Sequence, residues 1–132
     1  MSRGYVYVLT NESMPNLVKI GMTTRSVQQR VAELYQTGVP TPFEVYAEYD
    51  CPDCAAAEAI VHRSLSKCRV SHGREFFACT AELAAKQVSS THQEQVSTWL
   101  EEFMPNHAPV ELDCILDLTC FDSSIYGIIK DL

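Results

Sequence analysis

The chain has 132 residues, of which 46% are hydrophobic and 20% charged, and its formal net charge is −7. That composition suits one globular domain of common size and excludes an intrinsically disordered chain. No apolar run approaches the roughly 18 residues of a membrane span, and no basic segment followed by an apolar stretch opens the chain, so the expectation is a cytoplasmic protein without membrane contact.

Residues 4–10 are aromatic and β-branched and predict a strand. Asn11 to Asn16 contains Pro15 and polar residues and reads as a loop, and Leu17 to Ile20 reads as a second strand forming an antiparallel hairpin with the first. From Thr24 to Gly38 the period changes: Val27, Val31, Leu34 and Tyr35 make the stripe of an amphipathic helix, with Thr24 or Ser26 as cap and Gly38 and Pro40 as terminators. Phe43, Val45, Ala47 and Tyr49 alternate with polar and exposed positions as a third, half-buried strand. Pro52 and Asp53 open a second helix, whose stripe is Ala57, Ile60, Val61, Ser64, Leu65 and Cys68. Glu75-Phe76-Phe77 reads as an extended segment. Beyond Thr80 more helix is expected, with Thr91-x-x-Glu94 as a capping box and Val96, Trp99, Leu100 and Phe103 as a third stripe stopped by Pro105. In the tail, Val110, Leu112, Cys114, Leu116, Leu118 and Cys120 alternate with acidic residues, which predicts a β-hairpin-like ending. The fold class is therefore α+β, a small three-stranded antiparallel sheet flanked by helices. Residues 1–80 would form the main domain and 81–132 a helical and hairpin-like extension.

Charge follows the same division. Residues 1–80 carry eight basic and eight acidic side chains, whereas residues 81–132 carry two basic and nine acidic ones. Tight, sequence-blind DNA binding by the whole molecule needs a broad basic surface, which this chain lacks; only a local basic face within the first part remains. Six cysteines stand at 51, 54, 68, 79, 114 and 120. Cys51-Pro-Asp-Cys54 has no second pair at zinc-like spacing, so the cysteines read as free thiols more readily than as zinc ligands with His62.

Residues two apart on a strand face the same side, so Tyr5 and Tyr7 project together. Lys19 lies on the neighbouring strand within side-chain reach. Arg30 sits on the flank of the first helix stripe, Glu58 on the flank of the second, and His62 one turn after Glu58 on the same side. A phenol, an amine, a guanidinium, a carboxylate and an imidazole would then meet over one face of the sheet. Taken singly, each has an ordinary reading: tyrosines are good strand formers, Arg30 could pair with Glu33 or Glu48, Glu58 could face solvent, and His62 could hold a structural hydrogen bond. Arg74 and Glu75 would fix the Phe76-Phe77 segment, Trp99 would be core, and His72, His92 and His107 have no assignment.

The order of these residues resembles the GIY-YIG nuclease superfamily, in a phage-type branch. Tyr5-Val6-Tyr7 matches the first signature, Lys19-Ile20-Gly21 within "VKIGMT" matches the second, Arg30 falls nine residues after Gly21, Glu58 heads a Glu-x-x-x-His, and "GREFF" closes the match. The resemblance covers residues 4 to about 80. It implies a metal-dependent endonuclease acting on DNA. Tyr7 would be general base with its phenol pKa lowered by Lys19, Arg30 would hold the phosphate, Glu58 would bind one magnesium or manganese ion, and Tyr5 and His62 would contribute behind them. Two positions depart from the pattern: a lysine stands where the family has its second tyrosine, and the late Asn of the family has no counterpart within the matched stretch. The alternative is a GIY-YIG-fold binding module with catalysis reduced or lost, in which residues 110–132 mediate a protein contact or dimerisation.

Overall fold

The computed structural model describes residues 2–71 and 73–103. Its elements in chain order are β1 (Gly4–Thr10), β2 (Val18–Thr23), α1 (Val27–Leu34), β3 (Glu44–Cys51), α2 (Cys54–Ser64), a short 3-10 turn (Ser66–Cys68), β4 (Phe76–Phe77) and α3 (Ala81–Phe103). The class is the expected α+β. The predicted hairpin over 110–132 lies outside the described residues.

All strand pairs are antiparallel, in the order β3-β1-β2-β4. The expected β1–β2 hairpin forms, with Tyr7 opposite Gly21 and Val8 opposite Ile20. The register between β1 and β3 shifts between Val8 and Leu9, a bulge that lets Phe43, just before β3, turn inward beside Leu9. The sheet has one strand more than expected. Phe76 and Phe77 pair with Lys19 and Val18 to make β4, which two residues of sequence are too short to announce as a strand.

Alternation sorts the strand residues onto two faces. Val6, Val8, Val18, Ile20 and Phe77 meet Cys54, Ala57 and Val61 of α2 and Ala84 and Val88 of α3 in one apolar core. Tyr7 and Leu9 turn the other way, where Val27 and Phe43 are buried with them and Tyr5, Val31, Leu34 and Phe76 pack at the margin.

The helices depart from the expected boundaries at three places. α1 is capped by Ser26, whose hydroxyl accepts from the Gln29 N–H, but it ends at Leu34 instead of running to Gly38. A turn from Gln36 to Val39 brings Val39 back onto the sheet, and Tyr35 is left 51% exposed. In α2, capped by Asp53, the expected stripe residue Ile60 is exposed. α3 is continuous. It starts at Thr80, whose hydroxyl accepts from the Leu83 N–H, so Thr91 sits mid-helix and donates its own hydroxyl to the Gln87 carbonyl instead of capping. Its buried stripe recurs every fourth residue: Ala84, Val88, His92, Val96 and Leu100. Trp99, expected in the core, is half-buried and lines a groove of about 270 Å³ between α2 and α3 with Ile60. His92 is a core residue stacked near Tyr49, and burial pushes its imidazole down to about 4, so it stays neutral at pH 7.

Among the described residues no helix is long and apolar enough to cross a membrane. The four described cysteines are free thiols. Cys51 and Cys54 are buried, and burial pushes the Cys51 thiol up to about 12.

Candidate active site

The site is built around a glycine. Tyr7 and Gly21 face each other across β1 and β2, and directly opposed residues project on the same side of a sheet. A Cβ on Gly21 would stand 2.6 Å from the Tyr7 Oη, 2.8 Å from its Cζ and 2.9 Å from Glu75 Oε2. Only a residue without a side chain lets the phenol lie across the strand and the carboxylate approach it. This accounts for the tyrosine-to-glycine pairing in the sequence.

Lys19, two residues before Gly21 and on the same face, brings its Nζ to 3.5 Å from Glu75 Oε2 and 4.9 Å from the centroid of the Phe76 ring. Arg30 reaches in from α1, where its guanidinium donates a hydrogen bond to the Tyr7 oxygen. It also approaches Glu33 Oε2 at 3.3 Å, and Glu33 is held in addition by Arg25 at 2.7 Å.

Glu58 and His62 approach from α2 along the outer edge of β2. β4 covers only Val18 and Lys19 of that edge, and the backbone beyond needs partners. His62 Nε2 lies 2.8 Å from the Ile20 carbonyl, which makes Nε2 the protonated nitrogen, and the Glu58 carboxylate accepts from the Met22 N–H. Four helical residues rise about 6 Å and two strand residues about 6.6 Å. The Glu-x-x-x-His spacing therefore matches the spacing of Ile20 and Met22.

The charges are unevenly compensated. Burial, and after it the Glu75 carboxylate, push Glu58 up to about 7, against smaller opposing effects of Lys19, the Met22 N–H and Arg69. The Tyr7 phenol is raised as well. Its burial outweighs the Arg30 hydrogen bond and charge, and Glu75 and Glu58 add to the rise. The expectation of a phenol lowered by Lys19 is thus reversed: the residue that favours phenolate is Arg30, and burial wins over it.

Tyr7, Lys19, Arg30 and Glu58 come together as the sequence suggested. Tyr7 is 1% exposed, so its phenol lies beneath the others, with Arg30 and Glu75 each about one-third exposed at the opening. Tyr5 shares Tyr7's side but fronts a cleft of about 380 Å³ with Arg3, Thr24, Arg25 and Asp50. His62 serves the strand edge, and its ring packs 5.0 Å from that of Phe77. Glu75 is the member that sequence reasoning assigned elsewhere. The signal available was its place one residue before the aromatic pair that closes the sheet.

Among the described residues no three His, Cys, Asp or Glu side chains form a preformed metal cage. Magnesium commonly uses one or two carboxylates and completes its shell with water and substrate oxygens. A half-buried Glu58 whose charge is under-compensated beside Glu75 fits such an ion.

No curated protein and no solved structure matches the chain. Residues 4–104, which contain every element described above, match the T5orf172 domain, and the chain belongs to the T5orf172 domain family.

Proposed function

We propose that this protein is a metal-dependent endonuclease of the GIY-YIG type that hydrolyses phosphodiester bonds in DNA. Membership in the T5orf172 family supports a nuclease-like or DNA-binding role. The observation that carries the finer reading is the convergence of Tyr7, Arg30, Lys19, Glu58 and Glu75 around Gly21, where an added Cβ would collide with both Tyr7 and Glu75.

In this reading Arg30 is the first group to meet a phosphate. Its partner Glu33 is exposed, and such surface ion pairs are worth about 0–1 kcal/mol, so an incoming phosphodiester displaces the carboxylate readily. The guanidinium then holds the phosphoryl oxygens and stabilises the charge that develops on them. Tyr7, already hydrogen-bonded to Arg30, takes the proton of the attacking water. Lys19 adds positive charge beside the two carboxylates, Glu58 and Glu75. Glu58 would hold one magnesium or manganese ion, which supplies Lewis-acid stabilisation of the phosphoryl oxygens and leaving group when bound. Neutralising Glu58 and Glu75 also removes two of the causes that raise the phenol, which favours the basic form of Tyr7.

A second reading is a binding module of the same fold, catalytically weak, with a protein contact or dimerisation through residues 110–132. The burial of Tyr7 and the net charge of −7 favour it. The test is cleavage of supercoiled plasmid and branched DNA with magnesium or manganese, comparing the intact protein with Glu58→Ala and Tyr7→Phe. Nicking that requires metal and is lost in both variants is the expected result. A folded protein without activity on either DNA in either metal turns the conclusion to the binding module.

A further inference from the structure

We propose that Glu75 and Phe76 form a clamp that holds the Lys19 ammonium on the Glu75 carboxylate, whose oxygen lies at the bare face of Gly21 with the Tyr7 Oη, which makes Glu75 a positioning residue of the site; the functional half of this inference rests on the endonuclease reading.

The backbone register sets the clamp. Phe76 stands directly opposite Lys19, and the Ile20 N–H donates to the Glu75 carbonyl at 3.1 Å. Opposed residues share a face, so the Phe76 ring and the lysine stem run together. The next residue, Phe77, turns to the other face and is fully buried in the core, which anchors the strand. The outer side of β4 is held too: the Val70 N–H donates to the Phe76 carbonyl at 3.0 Å and the Ala78 N–H to the Cys68 carbonyl at 2.7 Å. Glu75 is thus mounted on a strand braced from both sides.

A free lysine side chain carries up to about 2 kcal/mol of rotamer entropy and would not hold a fixed place. Here the ammonium meets a carboxylate at 3.5 Å and a ring centroid at 4.9 Å, and the side chain is only 12% exposed. The pair is not a solvent-side ornament of the sheet. The same Glu75 oxygen crowds the bare face of Gly21 where the Tyr7 Oη lies, so the clamp and the phenol occupy adjoining space. The other charged or titratable groups acting on this point are Arg30 from α1, Glu58 from α2, and Arg69, which acts on Glu58. Lys19 then requires something to place an otherwise mobile amine. Glu75 and Phe76 supply it.

Trace acetylation of the intact protein with acetic anhydride, read by peptide mass spectrometry, tests the clamp without reference to nuclease activity. Lys67 and Lys86, both exposed, serve as internal references. In the wild type, Lys19 is expected to react at least about tenfold more slowly than either. Glu75→Gln keeps the shape and removes the charge, and should bring Lys19 severalfold closer to the references. Phe76→Leu keeps the apolar packing and should give a smaller rise, and Glu75→Asp should restore part of the protection. Unchanged Lys19 labelling in folded Glu75→Gln overturns the clamp. In the nicking assay, Glu75→Gln should lower kcat about tenfold with KM within about twofold, and Glu75→Asp should recover part of the loss. Labelling that changes while kcat does not overturns the positioning role. A wild type that nicks no DNA removes the endonuclease reading and the positioning role together, while the labelling still decides the clamp.

Discussion

The two faces of the sheet are made by the same strands and differ in kind. On one, Val6, Val8, Ile20 and Phe77 close against two helices in an apolar core. On the other, the residues one step away in sequence are Tyr7, Lys19, Gly21 and Phe76, beneath a single eight-residue helix. The difference teaches how a small domain separates stability from chemistry. Period-two alternation lets neighbouring residues answer to different demands, and a short covering helix leaves room for charged side chains to enter from its flank and from the edge of β2.

Substitutions should separate the faces. Phe77→Ala removes a fully buried ring from the closed face and should cost about 3–5 kcal/mol of stability in urea unfolding. Tyr7→Phe keeps the ring on the opposite face and loses only the hydroxyl bonded to Arg30, so its cost should stay near 1 kcal/mol. Equal losses in the two variants would break the comparison. Gly21→Ala sits between them. It forces a Cβ into the phenol and should cost about 1–3 kcal/mol while lowering nicking as far as Tyr7→Phe does.

Glu58 sharpens the contrast through pH. Its folded pKa of about 7 lies above the ordinary value of 4.5, so the folded state holds the extra proton between those values. Stability therefore falls as pH rises from about 4.5 to 7, and the penalty is full above that window. In EDTA, Glu58→Gln should be more stable than the wild type above pH 7, on the order of 1 kcal/mol after allowance for solvent screening, and the gap should close as pH falls toward 4.5. A gap that widens on acidification would contradict the assigned environment of Glu58. A comparable effect is expected of His62→Ala, about 1 kcal/mol from the lost Ile20 carbonyl bond, measured by thermal unfolding.

The parts legible in the sequence were those with a period or a cap. The aromatic and β-branched run of residues 4–10 predicted β1 and its hairpin with β2, and the stripe from Val27 placed α1. β4 was not legible as a strand, because two residues carry no alternation, and with it the approach of Glu75 to Lys19 was hidden. α3 was divided at Thr91 by a local capping pattern, although Ala84, Val88, Val96 and Leu100 recur at a spacing that runs straight through it. His92 occupies the missing step of that series, which is why a polar residue proved to be core. The proton affinity of Tyr7 was misjudged for a different reason. Proximity of a cation is visible in sequence order, but the depth of burial that outweighs it is a property of the assembled fold.

The central claim is that the polar face is a phosphodiesterase site while the apolar face carries stability. The most direct test is to measure the melting temperature and the manganese-dependent plasmid nicking rate of Tyr7→Phe side by side with the wild type. The account predicts a melting temperature within a few degrees and nicking reduced at least about a hundredfold. A Tyr7→Phe protein that nicks at the wild-type rate would contradict it.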